Sequence, residues 1–371
     1  MKHWLLIFLS ITYITIRADA QVLEKAYQKL QTAKNISYTV IIRSKMSFQN
    51  EFSADTMKCF ITLKTRENKT NGYFKVTGKN MAASYDGNKL ISLNLSDTTY
   101  TLSDKPISGQ HTRTLAYWAQ YIGANLKQPG YVKSLKDTLI NNTVYSHTRI
   151  TTYDAITNGQ HCYTFAELLI NKNTLLPYSI TSKVRGIGGD GEVGGWVEEH
   201  LYSNYSLNPA GFPDLTITSV PANFKAPVHK TYQLLAKGTK APGIKLYDAA
   251  GKTITLEAMK SKMVLLNFTG LGCPHCVNAV QLMNQLKSQY NDLVIISAYP
   301  FDKHDAIDKF DKKFAVKYLS YTTESDVKQM FPYDGIPTFY LIDKDGAIVK
   351  SYTGYYQKLK DEMVEQLNTM Q

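Results

Sequence analysis

The first two thirds of the chain carry the hydrophobic pattern of a sheet that packs against helices. Apolar residues recur at helical spacing over residues 22–34 and 115–126, which predicts two amphipathic helices. Between residues 37 and 102, short runs alternate apolar and polar positions, and this predicts an antiparallel meander. Hairpin turns are expected at Asn71-Gly72 and Asp86-Gly87, because these dipeptides readily adopt the backbone conformation of tight turns.

The meander is followed by more strands. They are predicted over residues 144–152, 162–170, 178–184 and 198–207. The glycine-rich tract 186–195 lies between the last two of them. It lacks the Lys-Ser/Thr of a phosphate loop and does not precede a helix, so we interpret it as a hairpin connection.

The pattern changes after a proline-containing linker, residues 221–234. The apolar runs MVLLNF and LVIISAY are typical of strands that are buried on both faces, and FYLID with GAIVKSYTG predicts a hairpin. Helices are expected at residues 276–290, 302–314 and 357–368. We therefore predict an antiparallel β-rich α+β domain over residues 21–220 and an α/β domain over residues 235–371.

Residues 1–20 have the three parts of a secretory signal peptide. Lys2 supplies the positive charge, residues 4–16 are apolar, and Ala18-Asp19-Ala20 is a small-residue cleavage site before Gln21. The apolar stretch is shorter than the about 20 residues that cross a bilayer, and no lipoprotein cysteine follows it. We expect a periplasmic protein without a transmembrane segment after signal removal. An uncleaved signal anchor is the alternative.

Composition and charge exclude several function classes. The chain has 371 residues, of which 43% are hydrophobic and 20% charged, as in ordinary globular proteins. Its 42 Lys and Arg residues exceed its 31 Asp and Glu residues, which gives a net charge of +11. The basic residues are scattered singly, so a nucleic-acid partner is not indicated. Four cysteines are too few for a disulfide scaffold in a chain of this length.

Two of these cysteines, Cys273 and Cys276, form a C-x-x-C motif where a helix is expected to begin. Pro274 suits the first helical turn, because an N–H at that position would have no partner. The free N–H groups and the positive end of the helix dipole favour the Cys273 thiolate, and a protonated His275 adds to this effect. Cys276, one turn later, is placed to attack Cys273 once that sulfur is bonded to a substrate.

A zinc site or a structural disulfide would use the same spacing. Zinc would need two further ligands, and no second C-x-x-C or spaced His pair follows. A structural disulfide with two intervening residues closes almost no loop, so it stabilises the fold little. The sequence therefore favours redox chemistry without a metal, in which the cysteine pair itself serves as the redox group.

A second motif, Gly335-Ile336-Pro337-Thr338, leads into the predicted strand FYLID. A proline just before a central strand is unfavourable unless its missing N–H is accommodated. Either Pro337 is trans in an ordinary turn, or a cis bond brings the Ile336 backbone beside Cys273.

Together these motifs resemble the TlpA/ResA branch of exported thiol-disulfide oxidoreductases, which have the thioredoxin fold. The resemblance covers residues 235–371. It rests on a lead-in hairpin, formed by residues 238–242 with YDAAGKTITLEAMKSK, and on VLLNF, CPHC, GIPT before FYLID, and Gly354. It implies a nucleophilic Cys273, a resolving Cys276, a cis Pro337 and a substrate that lies across Ile336, between Gly335 and Thr338. It also implies protein thiols or disulfides as substrates, and an unidentified membrane-bound or exported electron donor.

Several positions depart from the family pattern. Asn267 stands where thioredoxin has a buried aspartate, so the residue that accepts the proton is not identified. Gly272 replaces the usual tryptophan before the first cysteine, and Gly270 replaces the threonine of peroxiredoxins, which argues against a peroxidase. The Pro-His dipeptide resembles the DsbA oxidants. We predict a reductase from the family context, with a DsbA-like oxidant as the alternative.

The first domain is similar, less specifically, to LolA/LolB-like exported domains, in its opening helix, meander, LPYSI strand and SVPANFKAP segment. This resemblance implies a half-barrel sheet around an apolar ligand, although any sheet packed on a helix has the same pattern. A binding protein with a passenger thioredoxin domain is thus a further alternative. Cys59 and Cys162 fall in predicted strands, where they could form a disulfide, remain buried thiols, or exchange with the C-x-x-C pair.

Overall fold

The computed structural model describes residues 21–49, 51–66, 69–104, 111–128, 130–188, 193–216, 219–227 and 232–370. Most described residues up to 227 form one compact unit, and those from 232 onward form a second. The predicted signal peptide lies outside the described residues. Within them, no helix is long and apolar enough to cross a membrane.

In its described residues, the first unit contains two helices and one eleven-stranded antiparallel sheet. Its elements in chain order are α1 (Gln21–Thr32), β1 (Asn35–Met46), β2 (Ser53–Arg66), β3 (Lys69–Thr77), β4 (Met81–Tyr85), β5 (Leu90–Asn94), β6 (Thr99–Ser103), α2 (Leu115–Asn125), β7 (Val132–Ile140), β8 (Thr143–Thr157), β9 (Gln160–Asn171), β10 (Pro177–Ile187) and β11 (Val193–Leu207). The strand order β6-β5-β4-β3-β2-β1-β11-β10-β9-β8-β7 joins two meanders along β1 and β11. The predicted large antiparallel sheet is confirmed.

Both helices of this unit pack against the sheet. In β1 every second residue from Ile36 to Ile42 is buried, as the two-residue period of a strand requires. These side chains share a core with Leu23 of α1 and Ile122 of α2. The Tyr38 hydroxyl accepts a hydrogen bond from the backbone N–H of Leu115 at 2.9 Å, so it ties the start of α2 to the sheet.

One predicted turn was wrong. Asn71-Gly72 lies inside β3, and the β2–β3 hairpin instead pairs Arg66 with Lys69. A Cβ atom on Gly72 would lie only 2.5 Å from the Cβ of Ala116 on α2. The glycine therefore allows the helix to approach the strand closely, and it does not form a turn.

Two other expectations for this unit are confirmed, and one strand was missed. Asp86-Gly87 connects β4 to β5, with Gly87 at a φ of +95°. The glycine-rich tract joins β10 to β11, where Gly186 pairs with Gly194, although residues 189–192 lie outside the described part. The sequence pattern missed β7, in which no residue is fully buried.

The second unit is a seven-stranded mixed sheet with three helices. Its elements are β12 (Lys245–Tyr247), β13 (Thr253–Thr255), β14 (Met263–Phe268), α3 (Pro274–Gln289), β15 (Leu293–Tyr299), α4 (His304–Phe314), β16 (Leu319–Thr323), β17 (Thr338–Ile342), β18 (Ile348–Thr353) and α5 (Leu359–Asn368). The strand order is β13-β12-β16-β15-β14-β17-β18. Strand β14 runs parallel to β15 and antiparallel to β17, as the thioredoxin fold requires.

All six residues of β14 are buried, because both faces of the sheet are covered. Met263 and Leu265 pack with α3 and α5. Val264, Leu266 and Phe268 point to the other face, where they join a separate apolar core. The chain segment that leads to the cysteine pair therefore starts from a strand fixed on both sides.

Candidate active site at the Cys273–Cys276 pair

The cysteine pair lies at the carboxyl end of β14, where the chain passes through residues 269–272 into α3. The backbone N–H of Thr269 donates to the carbonyl of Ala298 at 3.1 Å, which holds the start of this loop to β15. The N–H of Cys273 donates back to the carbonyl of Gly270 at 3.3 Å. These two hydrogen bonds hold the loop in place, and Cys273 lies immediately before the first residue of α3.

Cys273 and Cys276 are joined as a disulfide, with their Cα atoms 5.2 Å apart. Cys273 is half-buried, whereas Cys276 has only 2% of its surface exposed. Cys273 is therefore the more exposed cysteine of the pair. Cys273 also caps α3, because its Sγ accepts the N–H of Cys276 at 3.1 Å. A negative charge on this sulfur would face the positive end of the helix dipole.

The second motif lies against the first. The Ile336–Pro337 peptide bond is cis, and the Ile336 carbonyl oxygen is 3.5 Å from Cys273 Sγ. Pro337 and Thr338 are buried, while Gly335 is exposed. The Thr338 hydroxyl donates to the Gly335 carbonyl at 2.7 Å and closes this turn. The structure therefore brings Cys273, Cys276 and the predicted substrate-binding residues 335–338 together.

The Pro337 carbonyl is also engaged, since it accepts the N–H of Gly354 at 2.8 Å. Gly354 follows β18 and has a φ of +78°, a conformation that glycine adopts without strain. His275 lies on the first turn of α3 with an exposed side chain.

Asn267, at the position of the buried aspartate of thioredoxin, has no exposed surface. Its amide Nδ2 donates to Ser297 Oγ at 3.2 Å, and its Oδ1 atom has no hydrogen-bond partner among the described residues. An amide does not ionise, so this side chain cannot take up a proton as a carboxylate would.

The sequence analysis missed one ionisable residue at this site. Asp302, expected to begin a helix, lies in the loop between β15 and α4. Its Oδ2 atom accepts the backbone N–H of Leu271 at 3.1 Å. Burial raises the pKa of the Asp302 carboxyl, and the bond from Leu271 offsets only part of this effect. The signal was present in the sequence, because Asp302 follows a strand parallel to β14, and parallel strands end at the same edge of a sheet.

A metal site is not formed by the described residues, among which no cluster of three or more His, Cys, Asp or Glu side chains occurs. The other two cysteines are both unpaired and buried. Cys59 is on β2 and Cys162 on β9, four strand spacings apart, roughly 19 Å, which is too far for a disulfide. Burial raises the pKa of the Cys59 thiol to about 12.

Comparison with known proteins agrees with this geometry. The Redoxin family matches residues 236–368. The thiol-disulfide oxidoreductase ResA of Bacillus thuringiensis subsp. konkukian is 32% identical over 133 residues, which is 35% of this chain and 76% of the relative. The chain belongs to the TlpA/ResA-like thiol-disulfide oxidoreductases. A second relative of this chain, the thioredoxin-like protein YneN of Bacillus subtilis, is 28% identical over 138 residues, which is 36% of this chain and 80% of the relative.

Solved structures similar to the oxidoreductase were also found. The thioredoxin domain of a thiol-disulfide oxidoreductase from Bacteroides vulgatus is 20% identical, with a TM-score of 0.33, and covers 35% of this chain and 97% of that one. A thiol:disulfide interchange protein from Chlorobium tepidum is 19% identical, with a TM-score of 0.33, and covers 36% and 97% of the two chains. The family match spans the CPHC and GIPT motifs and leaves the LolA/LolB-like resemblance a prediction.

Proposed function

We propose that the protein is an exported reductase of protein disulfides that works through the CPHC pair. The observation that carries the proposal is the asymmetry of the pair. Cys273 is partly exposed at the start of α3 and lies beside the Ile336 carbonyl, while Cys276 is buried behind it. A nucleophile must reach the substrate, whereas a resolving thiol needs to reach only the mixed disulfide.

The reaction balances as two exchange steps. The Cys273 thiolate attacks one sulfur of a substrate disulfide, so a Cys273–substrate disulfide forms and the other substrate sulfur leaves as a thiolate. The Cys276 thiolate then attacks Cys273 and releases the second substrate thiolate. The substrate gains two electrons, and the Cys273–Cys276 disulfide is regenerated. A dithiol electron donor must reduce this disulfide before the next turnover.

Three features support thiol-disulfide exchange with protein substrates, and the reductase direction is proposed from the family resemblance. Ile336 offers backbone groups next to the reactive sulfur. Phe301, on the adjoining loop, is 77% exposed and offers an apolar contact. The relatives named ResA are similar over the part that holds the site. Export is supported by the signal-peptide pattern of residues 1–20.

Trapping tests the assignment of the two sulfurs. The full chain is produced with its N-terminal segment, and its intact mass should correspond to residues 21–371. The variant Cys276→Ser, in its reduced form, should accumulate mixed disulfides with a substrate that contains intact disulfides, such as insulin, because resolution is blocked, and Cys273→Ser should accumulate none. Cys59→Ser, which removes a buried thiol of the first unit, is the control and should behave as the wild type.

The direction of transfer is tested by the reduction potential of the pair. A value near −270 mV, like that of thioredoxin, supports a reductase, whereas a value near −120 mV, like that of DsbA, indicates an oxidant, about 7 kcal/mol away. Full activity of both the Cys273→Ser and Cys276→Ser variants would contradict the whole proposal.

The ligand-binding alternative would need an apolar cavity in the first unit. In its described residues, the buried sheet face is filled by side chains of α1 and α2 such as Leu23, Leu30 and Ile122. We therefore propose that this unit docks a partner protein or orients the catalytic unit. The alternative role, lipid binding, rests on the LolA/LolB-like resemblance.

A further inference from the structure

Three loops meet around Gly270, immediately before the cysteine pair. A Cβ atom on Gly270 would lie 2.9 Å from the Ile336 Cδ1 atom and 3.6 Å from the Asp302 Oδ2 atom. The same Oδ2 atom accepts the N–H of Leu271 at 3.1 Å. The carboxylate of Asp302 is therefore bonded to the loop that carries Cys273.

This loop links Asp302 to the reactive sulfur. Leu271 precedes Cys273 by two residues, and the N–H of Cys273 donates to the Gly270 carbonyl at 3.3 Å. On its other side, Cys273 Sγ contacts the Ile336 carbonyl. A change in the position or charge of Asp302 is thus transmitted to Cys273 through one short, hydrogen-bonded turn.

Within the described part of the chain, no cationic side chain pairs with Asp302. The Asp302 side chain is half-buried. The titratable groups on the surrounding elements include Tyr299 on β15, Lys303, His304 and Asp305 at the start of α4, and His275 on α3; all but Tyr299 and His304 are exposed. His304 is hydrogen-bonded to the Thr322 hydroxyl at 2.9 Å. Burial raises the pKa of Tyr299, and Tyr318, Asp311 and Asp302 add smaller contributions in that order.

We propose that Asp302 is a positioning residue that fixes the loop before Cys273 and whose negative charge opposes ionisation of the Cys273 thiol. This inference rests on the proposed redox function of the pair. A carboxylate beside a thiolate raises the free energy of the thiolate, and the thiolate belongs to the reduced form. Asp302 therefore makes the Cys273–Cys276 disulfide harder to reduce and the dithiol a stronger reductant.

Two substitutions in the full chain distinguish the effect of the Asp302 charge from that of its hydrogen bond with Leu271. Asp302→Asn keeps an oxygen that can accept the Leu271 N–H but removes the charge, and Asp302→Glu keeps the charge. Asp305→Asn is the matched control, because Asp305 is exposed on the first turn of α4. Each variant is titrated with glutathione at pH 7, and the alkylation rate of Cys273 by iodoacetamide is followed against pH.

Asp302→Asn should shift the glutathione equilibrium about tenfold toward the reduced form, which equals about 30 mV. It should also lower the pH midpoint of Cys273 alkylation. Asp305→Asn should behave as the wild type, and Asp302→Glu, which keeps the charge but moves the carboxylate, should fall between the wild type and Asp302→Asn. The difference between wild type and Asp302→Asn should vanish at acidic pH, because a protonated carboxyl carries no charge.

Equal potentials and equal alkylation profiles for Asp302→Asn and the wild type would overturn the inference. An equal shift in Asp305→Asn would overturn it as well, since the effect would then be one of net charge. A wild-type pair that exchanges with no disulfide at all would instead refute the proposed function, so the two failures are distinguishable.

Discussion

The two glycines in the loop before Cys273 differ in how much space surrounds them. A Cβ atom on Gly270 would lie 2.9 Å from Ile336 Cδ1, so the Ile336 side chain would have to shift, whereas a Cβ atom on Gly272 would meet no atom within 4 Å. The open space at Gly272 is where the family has a tryptophan. Two glycines in one short loop therefore have different reasons to be there, and the sequence alone did not distinguish them.

Substituting each glycine by alanine tests this difference. Gly270→Ala should push the Ile336 side chain away from Cys273 and slow exchange with a protein disulfide about fivefold. Because Ile336 Cδ1 is the flexible end of a side chain, the loss of stability should stay near 1 kcal/mol. Gly272→Ala should change neither quantity. Insulin reduction rates and urea denaturation measure both effects, and equal behaviour of the two variants would contradict the steric argument.

The helices and strands show which elements a sequence pattern specifies. MVLLNF and LVIISAY were recognised because their length, flanks and lack of polar residues are typical of buried parallel strands. Leu319–Thr323 was missed, because LSYTT has few apolar residues and only part of it is buried. Asn71-Gly72 was misread as a turn, because the approach of α2 that requires a glycine involves residues more than 40 positions away.

Because α2 and β3 are in close contact at Gly72, a side chain added at this position should destabilise the first unit. Gly72→Ala should destabilise the first unit by about 2 kcal/mol, because the Ala116 Cβ atom, 2.5 Å away, belongs to a helix that cannot move alone. Gly186→Ala is the control, since a Cβ atom there meets no atom within 4 Å. Urea denaturation of the full chain followed by circular dichroism gives both values. A loss as small for Gly72→Ala as for Gly186→Ala would refute the packing argument.

At the scale of the whole molecule, the sequence predicted those parts of the candidate site whose chemistry lies in one short motif. The CPHC and GIPT segments specified Cys273, Cys276 and Pro337, because each motif is read within four residues. Asp302 was not found, because its role depends on a contact between two loops 31 residues apart. The same limit applies to the first unit. Its sheet was predicted from the alternation of apolar and polar residues, but no short motif in it indicates a function.

The central claim is that Cys273 is the accessible nucleophile and that the three other cysteines are shielded. Alkylation of the fully reduced protein with iodoacetamide at pH 7, followed by peptide mapping, tests this claim most directly. Cys273 should be modified first and much faster than an ordinary exposed thiol, of which only a few per cent is ionised at this pH. Cys276 should follow slowly, and Cys59 and Cys162 should react only after denaturation. Modification of Cys273 no faster than that of free cysteine would contradict the account.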